Sequence, residues 1–188
     1  MSYGGFARRS HVFGATLIEL LTTLALVAVL GTLAAPGFSG LLYDSRRAAI
    51  VNELFHALFL ARSEAAKRGD IVTVCQSADG LHCAGHAAEW TSGWIVFANL
   101  DRDEPPARDP HEPLIASHAG WKHGSITSTR ASYSFRPNTQ GVVNGTIVFC
   151  DRRGDAHARA IVISHSGRPR VTDRDSSSRT LRCPRGQT

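Results

Sequence analysis

Residues 20–43 carry no charged side chain, and the residue immediately before them is an acid, Glu19. Roughly 20 apolar residues are enough for a helix to span hydrocarbon, so the run is long enough to be a membrane or filament-core segment. A carboxylate at the edge of such a segment costs several kcal/mol unless a counter-charge meets it. The pattern therefore predicts an apolar helix and a cationic partner for Glu19. Gly31, Pro36, Gly37 and Gly40 lie inside the run. These residues loosen or break helices, which predicts a bend or local melting near Pro36.

Residues 1–14 contain Arg8 and Arg9 but no acid, and the apolar run follows them instead of lying among them. In an ordinary secretory signal the cleavage site comes after the hydrophobic core. A cut after Gly14 would leave the apolar helix on the mature protein. The stretch Gly14-Ala15-Thr16-Leu17-Ile18-Glu19 resembles the class III leader of type IV pilins and type II secretion pseudopilins. That resemblance implies cleavage after Gly14 by a prepilin peptidase and methylation of Ala15 as the new first residue. Ala15 stands where the family usually has Phe. Glu19 becomes the fifth mature residue, and the family pattern pairs it with the free amino terminus of a neighbouring subunit. A plain signal anchor is the alternative, and it offers no reason for Glu19.

After Asp44, Val51, Leu54, Phe55, Leu58, Arg62 and Ala65 recur at helical spacing, with Arg62 the polar exception on an apolar stripe. Lys67 and Arg68 occupy the expected last turn, and Gly69 is placed to cap it. Short β-rich runs follow at 71–75, 94–97, 133–135, 146–150 and 160–164. Turn-forming pairs separate them, notably Asp79-Gly80, Asn144-Gly145 and Arg153-Gly154. Residues 101–113, rich in Asp, Pro and Arg, read as an exposed loop. The expected fold is α+β, with one head and no internal repeat.

Four further motifs sharpen the resemblance: Ala61-Arg62-Ser63-Glu64-Ala65, Val72-Thr73-Val74-Cys75, Gly93-Trp94-Ile95-Val96-Phe97 and Ser166-Gly167-Arg168-Pro169-Arg170. Together with the leader they resemble the GspH/FimT family of minor pilins and pseudopilins. The family fold is a long N-terminal helix packed against an antiparallel sheet. The resemblance implies a leader at 1–14, a transmembrane or filament-core helix at 15–43, and a periplasmic or extracellular head at 44–188. It also implies partners: other pilin subunits, an inner-membrane assembly platform and the prepilin peptidase. The subunit would wait in the inner membrane before joining a pilus or pseudopilus.

Cysteines in an oxidising compartment favour disulfides. Four cysteines allow three pairings. The favoured one joins Cys75 to Cys83, closing a small loop at the end of a strand, and Cys150 to Cys183, tying down the tail. A zinc set of Cys75, His82, Cys83 and His86 is the alternative, and it lacks paired short spacings.

Charge is unevenly spread. Residues 1–150 hold twelve basic and twelve acidic side chains, whereas residues 151–188 hold nine Arg and four Asp, an excess of five that equals the whole net charge. Arginine forks match phosphate oxygens. Gly167, Pro169 and Ser176, Ser177 and Ser178 read as a flexible tail able to follow a polyanion, and phosphate contacts supply affinity without sequence information. In FimT-type minor pilins a C-terminal Gly-Arg-x-Arg motif is implicated in DNA capture for natural transformation, and Gly167-Arg168-Pro169-Arg170 matches it. The resemblance implies sequence-independent DNA binding by Arg168 and Arg170, supported by Arg174, Arg179 and Arg182. The alternative is a structural minor pilin or type II secretion pseudopilin that primes filament assembly, its basic surface solvated or facing a neighbour.

Enzyme chemistry finds no support: the chain lacks a Gly-x-Ser-x-Gly elbow, a phosphate-binding glycine loop and a His-Glu-x-x-His pair. Asp101 and Asp103 begin like a calcium loop, but Pro105 and Pro106 occupy positions where that loop needs a ligand and a glycine. No cofactor is expected. Trp90, Trp94 and Trp121 are candidates for stacking on bases, with core packing as the alternative.

Overall fold

The computed structural model describes residues 14, 16–85, 89–137 and 144–184, with the side chains of residues 33–37 outside that set. Among the described residues one α-helix, α1 (Leu17–Arg68), is followed by eight strands: β1 (Ile71–Gln76), β2 (Gly93–Asn99), β3 (Leu114–Ala119), β4 (Gly124–Ser128), β5 (Ser132–Phe135), β6 (Gly145–Asp151), β7 (Arg159–Ile163) and β8 (Pro169–Thr172). A single 3-10 turn, Asp155–His157, separates β6 from β7.

Thr16 starts α1, its hydroxyl accepting the Glu19 N–H at 3.3 Å. This is half of a capping box, with the acid at the third helical position. Of the bend or local melting expected near Pro36, the melting is not found, since the helix runs on through it. Proline removes one backbone hydrogen bond, and long helical flanks on both sides hold the register through that loss. At the other end Gly69 adopts φ +76, the left-handed conformation that closes helices, and donates to the Ala65 carbonyl at 3.0 Å. Glu64 pairs with Arg68 at 2.6 Å in that last turn.

The chain divides into two compact units, Met1–Leu42 and Tyr43–Thr188. In the first, Leu17, Ile18, Leu24, Val27, Leu30 and Leu41 are all more than half exposed. Among the described residues no helix is long and apolar enough to cross a membrane.

The second unit is the α+β head. Its strands form two four-stranded antiparallel sheets, ordered β3-β2-β1-β5 and β4-β6-β7-β8. Ile50, Val51, Leu54, Leu58, Ala61 and Ala65 line one stripe of α1 and are buried, as three- and four-residue spacing requires. The stripe packs on the inner faces of both sheets: Val72 and Val74 of β1, Trp94 and Val96 of β2, Tyr133 and Phe135 of β5, Ile147 and Phe149 of β6, Ile161 and Ile163 of β7. Alternation then sends the intervening residues to the outer faces. Cys75, Ile95 and Phe97 gather under the Cys83 loop on one sheet, and Cys150, Ala158 and Ala160 lie under Leu181 on the other.

Three strands fall where none was expected. β3 and β4 follow the 101–113 loop, between the strands expected at 94–97 and 133–135, and β8 lies within the segment read as a flexible tail. β3 is an edge strand and its residues are mostly half or fully exposed. β4 has Ile126 as its one large apolar residue, and β8 opens with a proline. Each is held as a strand by its paired neighbour rather than by its own composition.

Candidate nucleic-acid interface

The β7–β8 hairpin presents the Gly-Arg-x-Arg sequence. Gly167 sits at φ +70, a conformation that glycine reaches without a Cβ penalty, and its N–H donates to the Ser164 carbonyl at 2.8 Å. Ser164 N–H donates to the Arg168 carbonyl at 3.2 Å, closing the turn. Arg62 of α1, the polar exception on the stripe, reaches the Gly167 carbonyl at 3.4 Å and ties the turn to the helix.

In β8 Pro169 pairs opposite Ile163 and is buried, whereas Arg168 and Arg170 point to the other face and are exposed. β8 is the edge of its sheet, a position that tolerates proline. Among the described residues, no hydrogen bond or ion pair engages either guanidinium. Both forks are free.

Beyond β8 the chain turns back across the outer face of the sheet. Arg174 bridges to Thr180, and Asp175 accepts the backbone N–H groups of Ser177 and Arg179, each at 2.8 Å. These bonds, the Arg179 N–H foremost, together with the Arg179 charge, hold the Asp175 carboxyl below its ordinary range. Leu181 then buries itself, Cys183 N–H donates to Asp155 at 2.7 Å, and a disulfide joins Cys183 to Cys150 of β6. A second disulfide joins Cys75 to Cys83. Both sulfurs of the alternative zinc set are thereby used, and His86 lies outside the described residues. The tail expected to be flexible is a pinned strap, because its strand pairing, its buried Leu181 and its cross-link each fix it to the sheet.

Between this strap and strands β4 and β6 lies a groove of about 790 Å³, lined by Arg174, Arg179 and Arg182 together with Thr127, Thr146 and Val148. Thus the structure brings three of the five expected arginines to one groove, and Arg168 and Arg170 lie outside its lining. Arg179 is paired with Asp175 at 2.8 Å and Arg182 with Asp155 at 3.5 Å. Arg174 bonds only the Ser178 carbonyl, at 3.3 Å. Solvent screens exposed pairs of this kind, so a phosphate can displace them.

Two more arginines of the same region are committed elsewhere. Arg153 forks onto Asp151 at 2.7 Å and Asp44 at 2.8 Å, and Arg47 bridges the same two acids at 3.1 and 2.7 Å. Burial alone would push the Asp151 carboxyl up, but hydrogen bonds from Arg153 and the charges of Arg153 and Arg47 outweigh it and hold the group below its usual range. Asp44 is likewise lowered, chiefly by its hydrogen bond from Arg153. The guanidinium of Arg152 stacks over the Tyr43 ring, 4.5 Å from its centroid.

Trp90, Trp94 and Trp121 are 0%, 2% and 6% exposed, so none can stack on a base. Their rings fill the core, Trp90 donating to the Arg130 carbonyl at 2.9 Å and Trp94 stacking on His118 at 4.3 Å. At the other end of the chain Gly14 and Glu19 are exposed, and among the described residues nothing bonds the Glu19 carboxylate. Ala15 lies outside the described residues. The Thr16-x-x-Glu19 cap and the role of Asp155 in seating the strap were both missed from sequence. The first had a legible motif, whereas the second joins residues too far apart in the chain to show one.

Comparison with known proteins bears on the fold. Two crystal structures of the type IV minor pilin FimU from Pseudomonas aeruginosa align with a TM-score of 0.53 at 17% identity, covering 72% of this chain and 98% and 92% of theirs. At that identity the likeness speaks to the fold alone. No curated protein matches the chain. The family model described as Type II transport protein GspH matches residues 51–167, from the buried stripe of α1 to the turn of the β7–β8 hairpin. That match spans well over half of the sequence, and with it the chain belongs to the GspH family, as a GspH/FimT-type minor pilin.

Proposed function

We propose that this minor pilin binds DNA without sequence preference, through the phosphate backbone, during uptake for natural transformation. The observation that carries the reading is the pair Arg168 and Arg170, exposed at the start of edge strand β8 with no partner for either guanidinium among the described residues. Arg174, Arg179 and Arg182 extend the field along the strap. With every tryptophan buried, contact falls to charge and hydroxyl groups rather than to stacked bases. Fluorescence polarisation of labelled duplexes against the full chain in detergent tests it. Binding at low salt that is lost in Arg168→Glu/Arg170→Glu supports the reading, and unchanged binding in that variant ends it.

The same proposal has the leader cut after Gly14, Ala15 methylated, residues 15–43 held in the inner membrane and then in the filament core, and Glu19 paired with a neighbour's amine. Its support is the exposed apolar surface of residues 17–32 and 38–42, which a bilayer or sister subunits would cover.

A second reading is a structural subunit of a pilus or type II secretion pseudopilus. Phe59 and Leu60, 44% and 37% exposed beside a groove of about 710 Å³ lined by Trp94 and His118, favour it as a protein contact. Intact DNA uptake in the arginine variants, with lost assembly or secretion when Phe59 becomes Glu, selects this reading.

A further inference from the structure

We propose that the head surface around Tyr43 carries a basic collar that docks on anionic phospholipid headgroups while the subunit is held in a bilayer. The inference rests on the reading of residues 17–42 as the membrane-held segment. It adds a lipid partner for a surface distinct from the strap.

The collar is built around Tyr43, the first residue after the apolar run. Arg152 lies over its ring, with the guanidinium carbon 4.5 Å from the centroid, and Arg153 approaches the same ring at 5.3 Å. Arg46 follows Tyr43 by three residues on α1, which places it on the same side of the helix one turn on. Of the four arginines here, 46, 47, 152 and 153, only Arg47 and Arg153 meet the two acids, Asp44 and Asp151. The acids are saturated by Arg47 and Arg153. Arg46 and Arg152 remain exposed, with no carboxylate partner among the described residues.

Depth follows from chain connectivity. Arg46 lies about 4.5 Å along the helix from Tyr43 at 1.5 Å per residue. The headgroup layer of a bilayer is about 5–7 Å thick on each side. If residue 42 is the last in hydrocarbon, Tyr43 lies at the layer where aromatic rings concentrate, Arg46 follows it within the headgroup layer, and Arg152 is held beside the Tyr43 ring. A tyrosine with one unneutralised fork over its ring, Arg152, and a second, Arg46, one turn on along the helix matches a lipid phosphate: the ring takes the acyl boundary and the guanidiniums take the oxygens. Each arginine near an anionic surface is worth about a fivefold gain in association.

The test reconstitutes the full chain in bilayers and measures, by spin-label electron paramagnetic resonance, the relative association of labelled phosphatidylglycerol and phosphatidylcholine with the protein. Selectivity of at least about fivefold for phosphatidylglycerol at low salt is expected. It should fall to near unity at high salt and in Arg46→Gln/Arg152→Gln. That variant leaves the Asp44–Asp151 network intact, and an unchanged melting temperature checks its fold. Restricted lipid with no preference, or a preference that survives in the variant, overturns the collar alone. An absence of any restricted lipid, with extraction at alkaline pH, ends the membrane reading and the collar with it. Loss of the preference on adding duplex DNA would make the surface a general polyanion site, and the lipid assignment would fail.

Discussion

Arg47 on α1 donates to Asp151 at the end of β6 across 3.1 Å, with 7% and 1% of the two side chains exposed. This pair fastens the helix to the second sheet at a point where the apolar stripe has already ended. Removing one partner leaves a buried charge, which costs about 3–5 kcal/mol. Asp151→Ala is therefore expected to lower the melting temperature of the head by roughly 10 °C, given about 2–4 °C per kcal/mol for a domain of this size. Arg47→Met combined with Asp151→Leu should recover most of the loss. A thermal melt followed by circular dichroism reads both.

The same cluster sets an acid limit. Asp151 and Asp44 are held below the ordinary carboxyl range by Arg153 and Arg47, so each favours the folded state while ionised. Their contribution is complete above the unfolded carboxyl value of about 4 and is lost as pH falls through the lower folded values. Urea midpoints should be flat from neutral pH to about 5 and then drop. Asp151→Asn should flatten that drop, and a drop of unchanged size would assign acid sensitivity to other carboxylates.

The two disulfides are expected to differ in weight. Cys150–Cys183 spans 33 residues and Cys75–Cys83 spans 8. Loop-closure entropy gives about 3.7 kcal/mol for the first and about 2.5 for the second. Cys150→Ser/Cys183→Ser should therefore cost more stability than Cys75→Ser/Cys83→Ser. Only the first should also weaken DNA binding, since it frees the strap that positions Arg174, Arg179 and Arg182.

Salt dependence separates the arginines. Each phosphate contact contributes about 0.9 to the slope of log affinity against log salt on duplex DNA. Arg168→Gln/Arg170→Gln should reduce that slope by nearly 2. Arg182→Gln should reduce it by less, because Asp155 already competes for its charge. Equal effects from all three would mean that the partners seen here do not decide phosphate access.

The helix stripe and strands β1, β2, β5, β6 and β7 were legible because their apolar residues face a core and carry its periodicity in the sequence. β3, β4 and β8 were not, since Ser117, His118, Ser125 and Arg170 carry little strand preference and are set by pairing across the ladder. The arginine pair was legible as a motif. Its separation from the groove was not, because that depends on where the strap crosses the sheet. The tryptophans were ambiguous in sequence, and burial alone distinguishes a core ring from a stacking platform.

Strands β3 to β6 alternate between the two sheets, so neither sheet is encoded by a continuous stretch of chain. A truncation that removes β5 and everything after it strips a partner from both layers at once, since β1 loses β5 and β4 loses β6. A head ended before β5 is left with an open edge on each sheet, so the two layers are expected to be gained or lost together.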